Sequence, residues 1–334
     1  MWDEPALLGA VILVALILYI LFGGADFGGG VWHLLAKGPR AARQRALIAE
    51  AIAPIWEANH VWLILVVVVL FTAFPPAFAA ISIRFHGPLL ALLLAIVARG
   101  SAFVFRSAAG DRARERRGWS GLFIAGSLAS PLLLGMIAAA LIAGPTARDL
   151  SPARLGWSGP WLTPFALAAG LFTLALCGFL AAVYLTVEAE GEVELQEDFR
   201  RRALAAGIVC GALALATFLL SEGSAPRVYQ GLSLRWWSWP LHGATGLAAV
   251  SALVAVGRRR FRLARLLAAV QVALVVLGWG ASQYPFVVVP DLTFAAASAP
   301  RATQTLLLAT LGAGALLLFP SLRLLFRVFK SRPR

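Results

Sequence analysis

Apolar runs close to the thickness of a bilayer dominate this sequence and decide what it can fold into. Crossing a hydrocarbon core of about 30 Å takes roughly 20 residues of helix. Runs of that kind fall near 5–26, 48–74, 78–104, 120–143, 162–187, 203–221, 238–256, 262–281 and 304–328. With 60% hydrophobic and 13% charged residues among 334, the chain is too apolar for an ordinary soluble domain. The expected fold is all-α, a polytopic transmembrane bundle of about nine helices forming one integral membrane domain over 1–334. None of the gaps, the longest being 144–161, 188–202, 222–237 and 282–303, has room for a soluble domain.

The formal charge of +13 raises nucleic acid as a partner, but the basic residues sit in short clusters between apolar runs. That is the pattern of loops on one membrane face. With nine crossings and the N-terminus outside, 22 basic residues fall inside, in clusters around Lys37–Arg45, Arg106–Arg117, Arg200–Arg202, Arg258–Arg265 and Arg323–Arg334. Only Arg148, Arg154, Arg227, Arg235 and Arg301 remain outside, so the positive-inside rule puts the C-terminus in the cytoplasm. Trp236, Trp237 and Trp239 suit an outer aromatic belt, and Pro75-Pro76 ends the second helix in a tight outer turn. The start, Met1-Trp2-Asp3-Glu4, lacks a basic n-region, so the first run is expected to be a retained helix. Cys177 and Cys210 lie in apolar runs without metal or redox spacing and read as small core residues.

Against this background the stretch Ala53-Pro54-Ile55-Trp56-Glu57-Ala58-Asn59-His60-Val61-Trp62 stands out. It sets a carboxylate, an amide, an imidazole and two indoles at the head of an apolar block. An ionisable group in a membrane helix costs about 2.5–3.5 kcal/mol on insertion scales and marks a functional site by default. The first helix brings a second acid, Asp26, beside Gly23-Gly24 and Gly28-Gly29-Gly30. Gly24 and Gly28 have the spacing for close helix contact, and the triple glycine is expected to end the helix, leaving Asp26 at its inner end. Counting back from Phe74 places Glu57 at a similar depth. Glu50, Glu57 and His60 then form a polar file along one helical face. Two readings compete for Glu57: a structural ion pair with Arg99 near the inner end of the third helix, or a carboxylate that takes up and passes on protons near neutral pH.

Four histidines, His33, His60, His86 and His242, raise the question of haem ligation. None forms a paired pattern of ligands on facing helices, so hydrogen-bonded structural roles are favoured. Arg84 reads as deep within its helix and facing protein. The acidic run Glu188–Glu194, on the basic face, reads as a solvated loop.

At this point the residues resemble a known family. Gly24–Gly30, Pro54–Leu63, Phe71–Pro76, His86–Leu89, Arg99–Phe103, Glu188–Gly191, Leu195–Phe199 and Pro290–Thr293 look like subunit II of cytochrome bd-type quinol oxidases, in family order along nearly the whole chain. The Trp-Glu-Ala-Asn-His form is nearest the cyanide-insensitive branch. The resemblance implies two four-helix bundles, 1–143 and 144–281, with a peripheral helix at 304–328. It implies a bacterial inner or plasma membrane protein without a haem or metal of its own. Subunit I of the heterodimer would hold the b haems, the d-type (or b-type) haem and the sites for quinol and oxygen, and a small accessory subunit can join. It further implies a cytoplasmic proton route through Glu57 and Asp26, supported by Trp56, Asn59, His60 and Arg99. The chain departs from the family at Gly23 and His33, where many relatives have acids, which leaves the inner mouth less acidic. Two rival classes are a self-sufficient haem cytochrome using His60 and His86, and a solute or ion transporter lined by Asp26, Glu57 and Arg99.

Overall fold

The computed structural model describes residues 3–53, 56–108, 113–144 and 161–330. Pro54, Ile55, Arg112, the segment 145–160 with Arg148 and Arg154, and Arg332 and Arg334 lie outside the described residues. The chain begins with α1 (Glu4–Leu34), α2 (Ala41–Ile52), α3 (Trp56–Asn59), α4 (Val61–Ala73), α5 (Pro75–Arg84), α6 (His86–Ala108) and α7 (Ala113–Ala143). It continues with α8 (Pro164–Glu188), α9 (Val193–Ser224), α10 (Pro226–Leu234), α11 (Ser238–Gly257) and α12 (Phe261–Gln283). A two-stranded antiparallel hairpin, β1 (Phe286–Val288) and β2 (Leu292–Thr293), precedes α13 (Arg301–Lys330). Among the described residues, nine helical stretches are long and apolar enough to cross a membrane, α3 and α4 together making one of them. The chain is a multi-pass membrane protein, as its apolar runs predict.

Helix α8 is the axis of the molecule. It packs on α1, α7, α9 and α12, and 61% of its most apolar stretch is buried, against none of α13. Leu176, Phe179, Leu180 and Val183 of α8 carry the largest core cluster. The Thr163 hydroxyl caps α8 by accepting from the Ala166 amide at 3.1 Å, ahead of Pro164, whose missing N–H costs nothing in the first turn. Helix α13 touches mainly α1 and α4 and leaves most of its apolar surface uncovered.

Four expectations need correcting. The triple glycine does not end α1, which runs on to Leu34. Each of the three glycines instead admits a different neighbour: a β-carbon at Gly28 would strike the Cys177 carbonyl of α8, at Gly29 the side chain of Ile52 on α2, and at Gly30 Ser127 on α7. In a membrane the helix keeps its internal hydrogen bonds, and small residues serve close packing. Asp26 is therefore well inside α1, eight residues before its last. Secondly, Arg84 is not deep in a crossing. It ends the short α5, with its guanidinium 5.3 Å from the Phe85 ring centroid, and the crossing begins at His86. Gly87-Pro88 sits in the first turn of α6, where proline is tolerated. Thirdly, the run 48–74 is not one helix. Helix α2 stops at Ile52 and α3 starts at Trp56, around a proline that has no amide hydrogen to donate.

The acidic run is likewise no free loop. Gly191, at φ +96°, turns the chain between α8 and α9 in the left-handed region that favours glycine. The flanking acids then meet the chain's own arginines: Glu190 with Arg262 at 3.2 Å, Glu192 with Arg43, Glu194 with Arg40 at 3.2 Å, and Asp198 with Arg40 at 2.7 Å. Asp198 and Glu192 hold the Arg40 and Arg43 guanidiniums above the ordinary arginine range, mainly through these hydrogen bonds. This network ties α2, the α8–α9 turn and α12 into one basic end of the bundle.

Candidate functional site

Two turns in from the basic end, α1 presents Asp26, only 4% exposed. The one-turn helix α3 and the break at His60 place Asn59 against it. The Asn59 amide Nδ2 donates to Asp26 Oδ2 at 2.5 Å and makes a longer contact, 3.4 Å, to the Phe22 carbonyl. Asn59 is itself buried.

Behind this pair lies Arg99 of α6, at 1% exposure one of the most enclosed side chains among the described residues. Gly126 on α7 makes its position possible, because a β-carbon there would meet the Ala95 carbonyl and Arg99 itself. Arg99 Nε donates to Ser127 Oγ at 3.3 Å, and the guanidinium lies 5.1 Å from the Phe27 and 5.4 Å from the Phe123 ring centroid. Such cation–ring contacts partly replace the water the charge has lost. Asp26 is the nearby carboxylate whose charge acts on it, and Arg99 Nη2 is buried with no hydrogen-bond partner among the described residues. His60 leans on the same wall, 6.0 Å from the Tyr19 ring and 6.2 Å from Phe27. Its Nδ1 and the Tyr19 hydroxyl are buried with no hydrogen-bond partner among the described residues.

Glu57 is placed otherwise. It is two residues before Asn59, about 3 Å along the axis, so it shares the level of Asp26, yet its side chain is exposed. Among the described residues its side chain has no hydrogen bond or ion pair, though its carbonyl accepts from the His60 amide at 3.2 Å. The Glu57–Arg99 pair, one of the two readings of this carboxylate, does not form: Arg99 is directed into the α1–α6–α7 interface, while α3 turns Glu57 outward. The polar file fails too, because the helix is interrupted and Glu50 pairs with Arg43 at 2.9 Å. Trp56 lies half-buried over Gly100, its ring 5.8 Å from that of Phe103.

The structure therefore gathers Asp26, Asn59, His60 and Arg99 and leaves Glu57 on the surface. Tyr19 and Ser127 were not legible as members. Tyr19 had a signal, since it lies seven residues before Asp26 on one helical face. Ser127 had none. The other histidines are dispersed: His33 faces Arg106 and the Phe123 ring, His86 is exposed, and His242 bonds the Ser238 carbonyl at 2.7 Å. Among the described residues no group of three metal-ligating side chains converges.

Fold and site together define a polytopic membrane helix bundle with one buried acid–amide–guanidinium cluster. The family model "Cytochrome bd terminal oxidase subunit II" matches residues 5–329, so this chain belongs to that family. Cytochrome bd-I ubiquinol oxidase subunit 2 of Escherichia coli K12 is 32% identical over 206 residues, 60% of this chain and 53% of that one. Cytochrome bd ubiquinol oxidase subunit 2 of Bacillus subtilis 168 is 28% identical over 186 residues, 55% of this chain and 54% of that one. These matches thus span about half the length of either relative. The fold is also that of a chain in the bd oxidase structure from Geobacillus thermodenitrificans, with a TM-score of 0.79 and 23% identity, covering 98% of this chain and 99% of that one.

Proposed function

We propose that this chain is the haem-free second subunit of a bd-type quinol:oxygen oxidoreductase, working as a heterodimer with a haem-bearing subunit I. The basic end faces the cytoplasm, with the N-terminus outside and the C-terminus inside, in keeping with 22 basic residues on one side against five on the other. Helices α1, α3–α4, α6 and α7 make one four-helix group, α8, α9, α11 and α12 the second, and α13 is peripheral. The haems and the sites for quinol and oxygen belong to subunit I, and reducing oxygen to water there consumes four protons.

This subunit supplies a cytoplasmic route for those protons through Asp26 and Glu57. The observation that carries the reading is the contrast between the two carboxylates at one level. Asp26 is buried, held by Asn59 and near the Arg99 charge. Glu57 lies on the surface of a spanning segment with no side-chain partner among the described residues, and an uncovered carboxylate there is costly. A covering subunit removes that cost and receives the proton. Trp56 fixes α3 against α6, so the carboxylate does not wander.

Glu57→Gln keeps size and hydrogen bonding but removes the exchangeable acid. Because Glu57 has no ion pair to Arg99, assembly survives, while quinol-driven oxygen uptake per complex falls about 100-fold, the scale of a lost acid–base group. Glu57→Asp retains part of the rate. Full turnover by a fully assembled Gln variant removes Glu57 from the route.

A further inference from the structure

A cavity of about 60 Å³ opens at the basic end between α1, α2, α8 and α12. Its walls include Asp26, Ile52, Ala181, Tyr184, Glu188 and Arg265. The rest of the wall, with Phe22, Ile48, Ala51 and Leu185, is apolar. A single water needs about 10–15 Å³ and polar partners, so the volume admits a few waters, held at Asp26, Tyr184, Glu188 and Arg265. Tyr184 and Glu188 are four residues apart and share one face of α8. From Glu188 to the level of Ala181 is seven residues, about 10 Å along the helix. One end of the cavity thus reaches solvent at Glu188, whose side chain is 25% exposed, and the other stops at the buried Asp26.

Arg265 stands over the mouth. Its guanidinium is 4.7 Å from the Tyr184 ring centroid, and its Nη1 is 3.9 Å from Glu188 Oε1. That separation is wider than the 3.2 Å pairs made by Glu190 and Glu194 nearby. Those acids are bound into the network that holds the helices together. Glu188 instead lines the lip of a water-sized passage whose walls also include the one buried acid of α1.

We propose that this cavity is the inlet of the proton route and that Glu188 is the group that takes protons from solvent, with Arg265 holding it over the mouth. The inference rests on the reading of Asp26 as a proton carrier. A solvent proton forms an O–H bond at the Glu188 carboxylate. That bond breaks as the proton passes to a cavity water, each water hands one proton on, and the last forms an O–H bond at Asp26. One proton enters for each delivered, and no electrons move. Tyr184 and Arg265 shape the mouth and give up no proton.

The test uses the assembled two-subunit oxidase and follows quinol-driven oxygen uptake per haem in H2O and D2O. Glu188→Gln slows turnover about tenfold or more and enlarges the solvent isotope effect, with assembly and haem spectrum intact. Glu188→Asp keeps most of the rate. Ala51→Leu, which fills the passage from the α2 side without touching an ionisable group, reproduces the loss. Normal turnover and isotope effect in Glu188→Gln overturns the inlet, whatever Ala51→Leu does. Asp26→Asn separates the two claims. If it blocks turnover while Glu188→Gln does not, the route stands and the inlet is elsewhere. If Asp26→Asn is fully active, route and inlet fall together.

Discussion

At the basic end, the Arg43 side chain is 43% exposed and divides its guanidinium between Glu50 and Glu192. Inside the bundle, Arg99 is 1% exposed and has one serine, two aromatic faces and the nearby Asp26. Both are arginines beside acids, but they are held by different physics. Water screens the first and can replace any partner it loses. The second has been stripped of water, so its few contacts must replace hydration entirely. The difference teaches where function can sit. A charge in the network is replaceable and contributes shape, whereas Arg99 is tolerable only through its enclosed contacts with Ser127, Phe27 and Phe123 and the nearby Asp26 charge.

The sharpest way to break this comparison is Arg99→Met. It leaves Asp26 buried without the nearby positive charge, and the cost of breaking a buried contact pair, about 3–5 kcal/mol, is the ceiling for these two groups. The expected result is a severe loss of assembled, heat-stable complex. Adding Asp26→Asn removes the stranded charge, so the double variant is more stable than Arg99→Met alone, a coupling that a double-mutant cycle measures. Near-additive effects would mean that the two groups do not sustain each other.

A milder change probes the uncharged part of the same wall. His60→Ala removes ring contacts with Tyr19 and Phe27, worth about 0.5–1.5 kcal/mol for aromatic pairs. The complex should assemble with slightly lower thermal stability and unchanged haem content, read from the absorbance of the purified enzyme. Loss of one haem from an otherwise intact complex would make this histidine a ligand and overturn its packing role.

The membrane crossings were legible because apolar length is a one-dimensional property that each run carries by itself. Asp26, Asn59, His60 and Arg99 were legible as a group because polar side chains in such runs are few. What the sequence did not carry was direction. Whether Glu57 turns toward Arg99 or away depends on the break at His60 and on Gly126, which lets α6 and α7 close around the guanidinium. The glycine triplet misled for a related reason: glycine both breaks helices and admits neighbours, and only the positions of α2, α7 and α8 decide between the two. The hairpin β1–β2 lay in a gap too short and irregular for periodicity to reveal. The acidic run looked solvated because its partners, Arg40, Arg43, Arg262 and Arg265, are distant in sequence.

The smallest effect is expected at Arg43, and it is the most exacting test of the comparison. Arg43→Gln removes two ion pairs at once, to Glu50 and Glu192, yet all three side chains are substantially exposed. Exposed pairs are typically worth about 0–1 kcal/mol, because the gain in Coulomb attraction is offset by lost hydration and side-chain freedom. Glu192 and Glu50 regain water when the arginine is gone, and α2 remains anchored through Arg40 and through Gln44, whose amide donates to Asp198 at 2.7 Å. Thermal unfolding of the purified complex should therefore move by only a few degrees. The shift should shrink further in high salt, because the screening length falls to about 3 Å at 1 M and ions weaken the attraction between exposed charges. The Arg99→Met loss should persist in the same salt, since buried charges are screened far less. A salt-insensitive drop at Arg43 as large as that at Arg99 would erase the distinction between the two regions and make the basic end a structural core in its own right.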